Sequence, residues 1–141
     1  MASAEVVGLL KQTPLFMEFT EKELQALLTT SKEREFEAGT TIVREGDLGN
    51  LGFYLVTDGQ VEVKKGEKLL TKLGVGGFFG EMALMDEAPR SADVIAVDKT
   101  TVTMLTRWDL KAIISTHPDI ALKMMSELTR RLRETNRALS E

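Results

Sequence analysis

The stretch FFGEMALMDEAPRSADV, residues 78–94, decides how this chain reads. Gly80 lets the backbone turn where a Cβ would clash, and Glu81, Met82, Ala83, Leu84 and Met85 follow as a short helical piece headed by an acid. A helix opening there aims its first, unpaired amide N–H groups at whatever lies beside Gly80, which suits an anion. Ten residues past Gly80 stands Arg90, whose planar guanidinium can hold two oxygens of one phosphate. Ser91 follows it; it is equally a plain strand residue, though a hydroxyl there also suits a phosphate oxygen. Glu81 is an acceptor and cannot serve a phosphate, but it suits hydroxyl donors such as those of a ribose. A donor cluster, a cation and an acceptor within seventeen residues describe a sugar-phosphate pocket.

Outward from this stretch, the hydrophobic period changes twice. Residues 4–10 are a short helical candidate, and Thr20-Glu21-Lys22-Glu23 is a capping box opening a helix through Leu24, Leu27 and Leu28. After Ser31 the apolar residues fall in short runs: Phe36, Ile42-Val43, Phe53, Leu55, Val61, Val63, Leu69, Leu73, Val94-Ile95, Val97, Val102 and Met104-Leu105. Gly39, Gly46-Asp47, Asp58-Gly59, Gly66 and the glycines at 74, 76 and 77 punctuate them. Residues 108–115 read as a short helix, and Pro118 opens a long one at its favoured first-turn position. The expected fold is α+β but mainly β: an antiparallel β-barrel or jelly roll with short N-terminal helices, a short helix after Gly80 and a long C-terminal helix. The 141 residues form one domain, with helices over 1–31, strands over 32–107 and helices over 108–141.

Composition narrows the functions. Hydrophobic content of 43% with 28% charged residues is ordinary globular usage, and no apolar run approaches the roughly 20 residues of a membrane span. The expectation is a cytoplasmic protein with no membrane partner, and the absence of cysteine fits a reducing compartment. A net charge of −4 argues against nucleic acid binding by this chain alone. No metal site is expected, because His117 is the single histidine and sits beside Pro118 as a helix-entry residue. No Ser-His-acid arrangement with local support and no Walker loop is present, so the chain does not read as an enzyme and needs no cofactor.

The 78–94 stretch resembles the phosphate-binding cassette of the cyclic nucleotide-binding domain family. The family pattern is roughly F-G-E-x-A-L, a few variable residues, then P-R-S/T-A. Here it stands as Phe79, Gly80, Glu81, Met82, Ala83 and Leu84, then Pro89, Arg90, Ser91 and Ala92. Gly46-Asp47, the run Phe53-Tyr54-Leu55-Val56, and Gly59 before Val61 and Val63 extend the resemblance to about residues 15–139. It implies that Arg90 holds a cyclic phosphate, helped by Ser91 and the backbone amides near Ala83 and Leu84. It implies that Glu81 holds the ribose 2′-hydroxyl. Asp93 stands where the family commonly has Thr or Ser. Strand alternation puts it on one face with Ser91, so a local irregularity is expected to turn it outward.

In the last helix Ala121, Met125, Leu128, Leu132, Thr135 and Leu139 are spaced 4-3-4-3-4, a heptad seam suited to a partner helix. An amphipathic helix lying on its own barrel is the other reading. The basic run Arg130-Arg131-Leu132-Arg133, interleaved with acids, reads as a solvated face. Pro118-Asp119-Ile120 and Arg130-Arg131-Leu132 look like the dimer helix of catabolite-activator-type bacterial regulators. That likeness implies a homodimer in which Thr135 and Asn136 contact the base. The resulting expectation is a sensor for cyclic AMP, with cyclic GMP as the alternative ligand because Ser91 resembles a position where cGMP-preferring relatives carry Thr. Its C-terminal helix would move on binding. Two rivals are the sensing part of a transcriptional regulator without its DNA-binding module, and a dimerisation module indifferent to ligand.

Overall fold

The computed structural model describes residues 2–47, 52–84 and 90–140. The chain opens with helix α1 (Ser3–Lys11), a 3-10 turn at Pro14–Phe16 and helix α2 (Glu21–Thr30). Strands β1 (Lys32–Phe36), β2 (Thr41–Val43), β3 (Gly52–Asp58), β4 (Val61–Lys65), β5 (Lys68–Leu73) and β6 (Phe78–Phe79) follow. A 3-10 turn at Glu81–Leu84 precedes β7 (Asp93–Ala96), β8 (Thr100–Thr106), α3 (Arg107–Thr116) and α4 (Asp119–Ser140).

The helix starts have local causes. At α2 the Glu23 amide donates to Thr20 Oγ1 at 3.1 Å while the Thr20 amide donates to Glu23 Oε1 at 2.8 Å, closing the expected capping box. A second box, Thr106 with Asp109, starts α3 in the same way and was not foreseen from the sequence. Pro118 lies one residue ahead of α4, whose first turn is tied back by the Ile120 and Ala121 amides to the carbonyls of His117 and Pro118.

The strands form two four-stranded antiparallel sheets, ordered β1-β8-β3-β6 and β2-β7-β4-β5. Of the two forms left open by the sequence, this is the jelly roll and not a closed barrel. The two-residue β6 offers too short an edge to join the sheets through hydrogen bonds. β3 is buried on both faces, which its run Phe53-Tyr54-Leu55-Val56 predicts once side chains alternate. Phe53 and Leu55 point into a helix-lined core with Phe16, Leu24, Leu110 and Ile120. Tyr54 and Val56 point between the sheets with Val61, Phe79, Val94 and Val102. The segment after β6 therefore emerges where the two cores meet, and both hold it in place.

Candidate functional site

β6 delivers the chain to Gly80 by pairing Tyr54 with Phe79, whose rings stack at 4.8 Å. Gly80 has φ +80°, and a Cβ there would overlap the Gly52 carbonyl and stand 2.9 Å from Nη1 of Arg90. Only glycine lets β3, the turn and Arg90 close together here. The 3-10 turn that follows is pinned at its end by Leu84, 2% exposed within the helix-lined core. Met82 is exposed at its surface. The expected helix residue Met85 and the motif's Pro89 lie outside the described residues.

Arg90 is held by backbone. Its amide donates to the Asp47 carbonyl at 3.1 Å, its own carbonyl accepts from the Gly46 amide at 2.8 Å, and Nη2 donates to the Gly52 carbonyl at 3.1 Å. The residue is buried. Burial pushes its pKa below the ordinary arginine value, opposed by Tyr54 and Asp47 nearby. A desolvated guanidinium beside a glycine turn is a built place for an anion.

Ser91 is exposed, while Ala92 is buried on the opposite face. Asp93 corrects the sequence reading. The irregularity lies in β2, where the pairing with β7 shifts between Thr41 and Val43, and Asp93 is half-buried within regular β7. Its Oδ1 accepts the Glu45 amide at 2.7 Å, so a backbone donor engages the acid.

Glu81 has a side chain 13% exposed, and its Oε1 accepts from Nη2 of Arg131 on α4. The sequence pattern makes Arg131 part of a solvated face; the structure instead half-buries and pairs it. It continues a buried stripe, Ile120, Met124, Glu127, that lays α4 on its own domain. Its Nε donates to Glu127 Oε2 at 2.7 Å, and Arg130 makes two further bonds of 2.8 Å to the same carboxylate. Arg130 and Arg131 hold the Glu127 carboxyl below the usual range against the effect of burial. Burial works against the charge of Arg131, yet Glu127 and Glu81 carry its pKa above the ordinary value. The signal that could have exposed both residues is their 4-3-4 spacing from Ile120, the same as that of the apolar seam.

The seam itself faces away. Met125, Leu128, Leu132 and Leu139 are 53%, 38%, 60% and 81% exposed, so α4 rests on the domain by one stripe and offers a second outward. Thr135 and Asn136 lie on α4, exposed, one turn beyond Arg131. Among the described residues there is no cluster of metal-ligating side chains, and no helix is long and apolar enough to cross a membrane.

The sequence profile of the cyclic nucleotide-binding domain matches residues 33–117, the span that holds both sheets and the cassette. The chain belongs to that family. It is 37% identical over 132 residues to the cyclic AMP receptor protein of Thermus thermophilus, a match covering 90% of this chain and 61% of that protein. The N-terminal domain of a transcriptional regulator from Streptomyces coelicolor A3(2) superposes with a TM-score of 0.88 at 29% identity, covering 94% of this chain and 95% of the other. The regulatory domain of Toxoplasma gondii PKA, solved with cAMP, superposes with a TM-score of 0.73 at 33% identity over 79% of this chain and 44% of the other. The chain thus spans about three-fifths of the length of the Thermus protein.

Proposed function

We propose that this domain is a cyclic AMP sensor, not a catalyst, and that ligand binding is read out through α4. The observation carrying this reading is the ion pair between Glu81 and Arg131, which ties the cassette directly to the C-terminal helix. Arg90, Ser91 and the amides of Ala83 and Leu84 take the cyclic phosphate. Phe79, Gly80, Met82 and Ala92 shape the surrounding wall. Glu81 takes the ribose 2′-hydroxyl, and Thr135 and Asn136 read the base from α4. A ribose on Glu81 competes with Arg131 for the same carboxylate, so the nucleotide binds the released helix and the docked helix with different affinity. That difference is what lets a ligand shift a conformational equilibrium.

Support for cyclic AMP over cyclic GMP comes from the relatives. The Thermus protein is named for cyclic AMP, and the Toxoplasma domain was solved with it. Calorimetric titration with cAMP, cGMP and a cyclic dinucleotide tests the reading, with the strongest binding expected for cAMP. Absence of heat with all three would overturn it and leave a dimerisation module indifferent to ligand.

The exposed seam on α4 supports a homodimer as part of this function. Placing a charge at its centre, Leu132→Glu, is expected to give monomers, because an unpaired carboxylate is costly to bury between helices. Sedimentation velocity at tens of micromolar checks this, and a wild-type protein that is already monomeric with cAMP present would refute the dimer.

A further inference from the structure

Glu127 is a carboxylate on the stripe of α4 that otherwise buries Ile120 and Met124, and its side chain is only 8% exposed. An acid in such a place destabilises the fold unless it is paired, and helix formation alone gives little reason to keep one there. Its bonding suggests another use. Arg131 presents two different nitrogens to two different carboxylates, Nε to Glu127 and Nη2 to Glu81. Because the nitrogens differ, Glu127 does not compete with Glu81 for the guanidinium. It fixes the long, flexible side chain at Nε and leaves the fork aimed across the gap to the cassette.

We propose that Glu127 is the positioning residue of this contact: it orients Arg131 onto Glu81 and thereby sets how firmly α4 is latched before ligand arrives. The consequence for ligand rests on the reading that a ribose hydroxyl takes Glu81. A firmer latch then raises the cyclic AMP concentration needed to open it. Arg130, the other partner of Glu127, donates to both of its oxygens, so the carboxylate keeps a cationic partner whether or not Arg131 is on the cassette.

The test has a ligand-free arm and a ligand arm, both on the whole chain. Without ligand, amide hydrogen exchange over residues 128–136 is expected to speed up in Glu127→Gln and in Arg131→Gln. The effect of Glu127→Gln should be smaller in the Arg131→Gln background, where only its pair with Arg130 is left to lose. With cyclic AMP as the probe, Glu127→Gln is expected to tighten binding roughly threefold to tenfold, and to have no effect in the Arg131→Gln background. Glu127→Asp retains the charge but draws the carboxylate back by one methylene, and it is expected to act in the same direction if Glu127→Gln does not fold. Exchange in Glu127→Gln equal to wild type overturns the inference, as do equal effects of that change with and without the Arg131 guanidinium. If the exchange result holds but Arg131→Gln leaves cyclic AMP affinity unchanged, Glu127 stands as the positioning residue and the ribose assignment of Glu81 falls.

Discussion

Two arginines serve the cassette, one within it and one on α4, and they are held in opposite ways. Arg90 is fixed by main chain: its amide and carbonyl are bonded to the 46–47 turn, and its fork lies against the carbonyl of Gly52. Arg131 is held by side chains alone, on a helix that rests on the domain through a single stripe. Main-chain hydrogen bonds form when the sheets form and are indifferent to ligand, whereas a pair of side chains can exchange one partner for another. The difference separates two tasks. In the proposed function the sandwich end would carry affinity through a preformed cation, and the helix end would carry response through a contact that a ligand can replace.

The sharpest way to break this comparison is at Arg90. Arg90→Ala is expected to weaken cyclic AMP by about 25-fold to several-thousand-fold, from the roughly 2–5 kcal/mol lost when one member of a buried charged contact is removed. The far-ultraviolet circular dichroism should stay that of the wild type, because the cores of both sheets are made by other residues. A calorimetric dissociation constant unchanged in this variant would remove Arg90 from the phosphate.

A smaller effect is expected on the helix side. Replacing Thr135 and Asn136 together with Ala should weaken cyclic AMP roughly 10- to 30-fold, at on the order of 1 kcal/mol for each neutral hydrogen bond. The ratio of cyclic AMP to cyclic GMP affinity should shrink in this double variant and stay constant in Arg90 variants. A structure with bound nucleotide in which residues 135 and 136 lie far from the purine would reject the assignment.

The same contrast explains what the sequence disclosed. The cassette was legible because its chemistry is contiguous: a glycine that must take positive φ, an acid and an arginine stand within seventeen residues. The jelly roll was legible as a class, since period and glycine spacing report strands. Closure was not, because it depends on which edges meet across the fold. Glu81 with Arg131 was invisible for a related reason. The partners lie 50 positions apart, and an arginine on a helix reads as solvated until something opposite it is known. Glu23 with Lys123, 100 positions apart, is the same case at the root of α4. Sequence shows that a charge is present, and only the fold shows what faces it.

The smallest expected effect is in acid, and it sharpens the comparison because both carboxyls concerned lie on α4 or against its root. Burial works against the charge of Glu23, but Lys123 and the Thr20 cap overcome it and hold its carboxyl below the usual range. Arg130 and Arg131 do the same for Glu127. A carboxyl depressed in the folded state binds its proton more readily in the unfolded chain. Its contribution is therefore fully present above the unfolded value of about 4.3 and is lost as pH falls through the lower folded value. The thermal midpoint of the wild type should fall on acidification below about pH 4.5. Glu127→Gln should lower the midpoint by a few degrees near neutrality. That deficit should shrink as the pH falls below about 4.3, since the unfolded wild-type chain then takes up the proton that the native carboxyl resists. Glu23→Gln should behave alike, with its deficit also fading in acid. Melts followed by circular dichroism between pH 3 and 7 check both. A deficit that stays constant across that range would mean that these carboxylates act through packing and not through charge. The attachment of α4 would then be as insensitive to protonation as the seat of Arg90.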